Sequence, residues 1–177
     1  MKSMVDLSHE FLLPVLHRGA ICVDATIGHG KDTKFFLEHN VLKVYGFEIQ
    51  EDVLNQTIQT INNIHFHPFL LGHEKMDDVI KQSVDAIIFN FGYCPGKEEG
   101  ITTKVDTSIL AIKKGLSLLK RKGRMALVLY PHQEGKKEAE CIENYVRTLN
   151  SNEYSVLLVK NLNIEYSPYL IEIEKLL

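Results

Sequence analysis

No apolar run in the 177-residue sequence approaches the roughly 20 residues that a membrane-crossing helix requires. The amino-terminal stretch MKSMVDLSHEFLLPVLHRGA carries acids and a proline within its apolar part, so a secretory signal is not expected. Cysteine is scarce. Cys22, Cys94 and Cys141 are far apart, odd in number and form no CxxC, which excludes a disulfide scaffold and points to reduced thiols in a cytoplasmic setting. Basic charge is not in excess either: 20 Lys and Arg stand against 23 Asp and Glu, for a net charge of −3. Bulk electrostatics therefore do not announce a nucleic-acid binder, and only a local basic patch stays open. There is no internal repeat, linker or low-complexity segment. There is no GxxxxGK[ST], so a P-loop is excluded. His65 and His67 stand two apart with no third ligand near them in sequence, and no metal site is expected.

What is present is alternation. Apolar strands are expected at Ala20–Ala25, Val44–Ile49, Ile64–Leu71, Val84–Asn90 and Arg124–Tyr130. Helices are expected between them at Lys31–His39, Glu51–Ile61, about His73–Lys81 and about Val105–Lys120, with another at Glu134–Asn150. The stretch VDAIIFN is almost continuously apolar, as a strand buried on both faces should be. Strand–helix alternation implies a doubly wound parallel sheet. The end differs. Tyr154–Lys160 and Tyr169–Leu176 are separated by eight residues, too few for a parallel crossover, so they must pair antiparallel. The expected fold is a single α/β domain over residues 1–177, a mostly parallel seven-stranded sheet ending in an antiparallel hairpin. This order resembles the Rossmann-like class I S-adenosylmethionine-dependent methyltransferases.

In such sheets ligands sit beyond the carboxyl ends of the strands. The segment VDATIGHGKDT, Val23 to Thr33, lies there. Asp24 ends the first strand. Gly28 and Gly30 permit positive φ and close approach of a ligand. The amides from Gly28 to Lys31 open a helix, a place that favours an anion. Glu48 follows 20 residues after Gly28, at the end of the second strand, where an acid accepts hydrogen bonds from ribose hydroxyls. A dinucleotide fingerprint needs a third glycine, and here Lys31, Asp32 and Thr33 follow. Asp32 and Thr33 suit a zwitterionic methionine end better than a pyrophosphate. Farther on, FNFGYCPG follows the fourth strand. Asn90 supplies an amide, Gly92 removes bulk, Tyr93 offers an aromatic face and Pro95 stiffens the loop.

DATIGHGKDT, FEIQ, GHE, FNFGYCPG, ITT and IEK occur in this order and together resemble the YtqB-like methyltransferases, long described as rRNA methylases. That family includes an enzyme that methylates the aminomethyl group of 5-aminomethyl-2-thiouridine at the tRNA wobble position. The resemblance implies S-adenosylmethionine as cofactor. It implies cofactor contacts at Asp24, Gly28, His29, Gly30, Lys31, Asp32, Thr33, Glu48, Gln50, Gly72, His73 and Asn90, and a methyl-facing loop of Asn90, Gly92, Tyr93 and Pro95. This chain departs from the family pattern at His29, where Asn is usual, at Glu48, where Asp is usual, and at Lys97-Glu98-Glu99, where Gly-Asp-Lys is common. The segment YPHQEG, which carries His132, is one residue short of the family's.

The implied partner is tRNA, met at its anticodon loop, with a homodimer also implied by the family. Tyr93 and Tyr130 are candidates to stack on the base, with His132 beside them. Lys113, Lys114, Lys120, Arg121, Lys122 and Arg124 form a basic cluster. It is either a solvated helix end that complements the dipole or a contact to RNA backbone, through Lys113, Lys120, Arg121 and Lys122. Another RNA base, a small molecule, or cofactor binding without catalysis stay open as alternatives.

Overall fold

The computed structural model of the chain describes residues 1–91, 105–131 and 135–177. The helix α1 (Met4–Leu12) comes first and is closed by a capping box, in which the Asp6 amide donates to Ser3 Oγ and the Ser3 amide to the Asp6 carboxylate. The strands and helices that follow are β1 (Ile21–Asp24), α2 (Lys31–Glu38), β2 (Lys43–Glu48), α3 (Glu51–Thr60), β3 (Phe66–Leu70), α4 (Met76–Val79) and β4 (Val84–Phe91). Then come α5 (Val105–Leu118), β5 (Leu119–Leu129), α6 (Gly135–Val146), β6 (Tyr154–Val159) and β7 (Tyr169–Lys175). The seven strands form one sheet in the order β3-β2-β1-β4-β5-β7-β6. The first five are parallel, and β7 runs antiparallel between β5 and β6. The expected α/β sheet and terminal hairpin are therefore present.

The central strands are apolar because both faces of the sheet are covered there. Along β4, Ile87, Phe89 and Phe91 pack with Met76, Ile112, Leu116 and Ile142 under α4, α5 and α6. Ala86 and Ile88 point the other way and pack with Met4, Leu12, Phe36, Leu54 and Ile61 under α1, α2 and α3. Alternation in direction with apolar residues at both parities is what produces the continuous run.

Three boundaries differ from expectation for identifiable reasons. The amino-terminal segment forms α1, which covers one face of the sheet. The helix expected over His73–Lys81 is a tight turn at His73–Lys75 followed by the single turn α4. β5 begins at Leu119 because Leu119 pairs with Val84, while Arg124 pairs with Ala86. The extra residues bulge out, and Lys122 takes φ 65°.

Register decides what meets at the carboxyl edge. Asp24, the last residue of β1, lies opposite Gly46 of β2 and Ile88 of β4. Glu48 and Asn90 each stand two residues farther along. The turn after β1 is thereby flanked by both.

Candidate active site

The turn from Ala25 to Gly30 is built by hydrogen bonds to those neighbours. The Ala25 amide donates to the Ile88 carbonyl at 3.0 Å and the Ile27 amide to the Phe47 carbonyl at 3.1 Å. The Asn90 amide donates to Thr26 Oγ1 at 2.8 Å. Gly28 and Gly30 take φ 48° and 74°, the left-handed region open to glycine. A Cβ on Gly28 would have no heavy atom within 4 Å, whereas one on Gly30 would lie 2.5 Å from Ile61 Cδ1. Gly30 thus permits close packing onto α3. Gly28 leaves open space over the backbone.

Glu48 is fixed by three backbone donors. Its Oε2 accepts from the Gly28 amide at 3.1 Å, and its Oε1 accepts from the Ile49 and Gln50 amides at 2.9 and 3.0 Å. A carboxylate offers about four lone-pair directions, so one remains for a ligand hydroxyl. Gln50 sits at the start of α3. His73, next to Gly72, is buried and donates from Nδ1 to the Ala25 carbonyl at 3.1 Å. Burial lowers its pKa, against the pull of that hydrogen bond. The ring is neutral at pH 7, and Nε2 is its acceptor.

The acids are arranged unequally. Asp24 is fully buried and accepts from Thr33 Oγ1 at 2.6 Å and from the Thr26 amide at 3.3 Å. Burial, and then the charge of Asp32, raise its pKa to about 7. Asp32 accepts on one oxygen from His9 Nε2 at 2.6 Å and on the other from Asn90 Nδ2. The Tyr130 hydroxyl is raised by burial and then by the Asp32 charge. The remaining loop residues, His29 and Lys31, are exposed, and Lys31 stands 3.8 Å from Asp6 of α1.

The structure brings together Asp24, Gly28, Gly30, Asp32, Thr33, Glu48, Gln50, His73 and Asn90. It does not bring the basic cluster to them. Lys120 Nζ donates to both oxygens of Asp85 at 2.9 and 2.8 Å, and Asp85 also accepts from the Ile21 amide. Ile21 begins β1 and Asp85 stands second in β4. Lys120 is therefore at the amino edge, about 17 Å along β4 from Asn90. Arg121 donates to the Leu176 carbonyl, Lys122 pairs with Glu174, and Lys113 lies 5.3 Å from the centre of the Tyr145 ring. Gly92, Tyr93, Pro95 and His132 lie outside the described residues.

His9 escaped the sequence reading. The Ser3–Asp6 capping signal would have located α1, but nothing local ties His9 to Asp32, 23 residues away.

The family described as "Putative rRNA methylase" matches residues 44–174. The chain belongs to this family. Solved structures that it resembles include a Streptococcus mutans protein described as a putative methyltransferase in complex with SAH, at 37% identity, 99% coverage of both chains and a TM-score of 0.91. A putative rRNA-methylase of Clostridium thermocellum matches at 29% identity, 99% of both chains and a TM-score of 0.94. The chloroplastic tRNA (mnm(5)s(2)U34)-methyltransferase of Arabidopsis thaliana is 29% identical, over 96% of this chain and 68% of its own length.

Proposed function

We propose that this rRNA-methylase family member transfers a methyl group from S-adenosylmethionine to RNA, and that the acceptor is the aminomethyl nitrogen of 5-aminomethyl-2-thiouridine at the tRNA wobble position. One observation carries the reading. At the carboxyl end of β4, Asn90 has its Nδ2 committed to Asp32 while its Oδ1 is buried with no hydrogen-bond partner among the described residues. A buried carbonyl oxygen wants a donor, and an amine N–H is one.

The residues fit the cofactor. The open space over Gly28 would take the backbone-facing end, Glu48 would accept from ribose hydroxyls, and Gln50, Gly72 and neutral His73 would flank the base. When bound, S-adenosylmethionine supplies a methyl group on a positively charged sulfur with a good neutral leaving group. The chain's task is then positioning: to hold a nitrogen lone pair about 3 Å from the methyl and in line with its bond to sulfur. Asn90 orients that nitrogen, and Tyr93 and Tyr130 offer faces for the base. A wobble base already lies in a single-stranded loop, so presenting it costs less than extruding one from a duplex. The likeness to the Arabidopsis tRNA methyltransferase supports tRNA. The family description favours rRNA as the second reading.

One experiment separates them. Nucleosides from tRNA and rRNA of a strain lacking the gene are compared with wild type by mass spectrometry, and purified protein is then supplied with labelled cofactor. The expected result is accumulation of the aminomethyl nucleoside in tRNA and addition of one methyl to it in vitro. Unchanged tRNA, with the missing methyl in rRNA, would establish the second reading instead.

A further inference from the structure

We propose that His9 is a positioning residue for methyl transfer: acting through Asp32, it fixes the side-chain amide of Asn90 so that Oδ1 faces the incoming amine. The proposal rests on the amine-acceptor reading above for the identity of the incoming group, and on geometry alone for the role of His9.

Asp32 lies near the start of α2, with its side chain 7% exposed. Both of its oxygens are occupied, one by His9 Nε2 at 2.6 Å and the other by Asn90 Nδ2. A carboxylate only accepts, so both partners present hydrogens to it. This settles the orientation of the Asn90 amide: nitrogen toward Asp32, and oxygen away from it. That oxygen is then buried without a partner among the described residues. The second Asp32 oxygen is occupied as well, by the Asn90 amide. Here it dictates which atom Asn90 turns to its other side.

His9 itself is held from two directions. Its ring stacks on Phe35 at 3.8 Å between centroids, with 5° between planes. α1 is anchored by Arg124, whose Nη1 donates to the Phe11 carbonyl at 2.7 Å and whose guanidinium lies 4.9 Å from the centre of the Phe11 ring. The position of His9 over Asp32 is therefore set by packing.

Two variants separate the donor from the ring. His9→Phe keeps a ring to stack on Phe35 and removes the N–H. His9→Gln removes the ring and keeps an N–H at comparable reach. Two readouts are used on the full chain saturated with S-adenosylhomocysteine or supplied with S-adenosylmethionine. The first needs no acceptor: the Asn90 side-chain NH2 signal in ¹⁵N-correlated NMR, assigned with Asn90→Asp. One of its protons should be shifted downfield by Asp32 in wild type and in His9→Gln, and should move toward the free-amide position in His9→Phe. The second is turnover on tRNA from the deletion strain. The kcat of His9→Phe should fall at least about tenfold with cofactor affinity within about twofold of wild type, and His9→Gln should retain at least about a third of wild-type kcat.

An Asn90 signal unmoved in His9→Phe, or a His9→Gln variant as impaired as His9→Phe, overturns the role of His9. Inactivity of wild type on aminomethyl-bearing tRNA overturns the amine part instead, and the NMR readout still decides whether His9 orients Asn90.

Discussion

Asp24, Asp32 and Glu48 are three acids from β1, α2 and β2 gathered around one turn, and their surroundings give them three different tasks. Asp24 is buried, accepts from Thr33 and the Thr26 amide, and has its pKa raised to about 7. It closes the turn from beneath. Asp32 has both oxygens committed to His9 and Asn90. Glu48 alone is partly open, and its three bonds to backbone amides aim it without exhausting it. Glu48→Ala would remove a charge-assisted acceptor, worth roughly 1.5–3 kcal/mol, and would release the Gly28 amide that helps shape the turn. Calorimetry with S-adenosylmethionine should show affinity at least about tenfold weaker. Unchanged affinity in a folded variant would remove Glu48 from the cofactor site.

At the scale of elements, α1 is the piece with a task beyond covering the sheet. It packs on the face shared with α2 and α3 and carries His9 to the carboxyl edge. Its tether is Arg124, which also pairs with Glu174 of β7 at 3.0 Å, both side chains being under a quarter exposed. Arg124→Met should keep much of the packing and lose the charged hydrogen bonds, at a cost of about 2 kcal/mol. Hydrogen exchange should quicken through α1 while the amides of β4 and β5 keep their protection. Methyl transfer should fall together with the loss of order at His9. Exchange in α1 equal to wild type would show that other contacts suffice to hold it.

For the molecule as a whole, the parallel sheet has two edges with different chemistry. The carboxyl edge gathers the glycine turn, the acids and Asn90. The amino edge gathers Lys120, Asp85 and His17, with Asp85 accepting from the first amide of β1 and lying 3.7 Å from His17. A lysine that holds a nearly buried carboxylate is engaged in stability. Lys120→Met should therefore lower stability in urea by about 1–3 kcal/mol, because the Asp85 carboxylate loses the two hydrogen bonds from the lysine ammonium. Binding of tRNA, measured at fixed salt, should change by less than about twofold. A large loss of tRNA affinity with stability unchanged would return Lys120 to the RNA-binding surface.

Much of this organisation is legible in the residues themselves, because the signals are local. A βα alternation with apolar strands, a final pair joined by too few residues to cross over, a glycine turn, and an acid 20 residues beyond it all follow from backbone sterics and hydrogen-bond reach. They place Asp24, Gly28, Gly30, Glu48 and Asn90 at one edge before any coordinates are known. The same locality explains the failures. Six basic residues close in sequence read as one cluster, yet Lys113 lies over Tyr145, Lys114 pairs with Asp77, and those on β5 reach Asp85, Glu174 and the Leu176 carbonyl. The reverse holds for His9, isolated in sequence and central in space. Which helix lies over which strand is set by the pairing of apolar faces, and the polar contacts follow from that docking. Tertiary structure alone therefore decided that His9 meets Asp32 and that Lys120 does not meet Asn90.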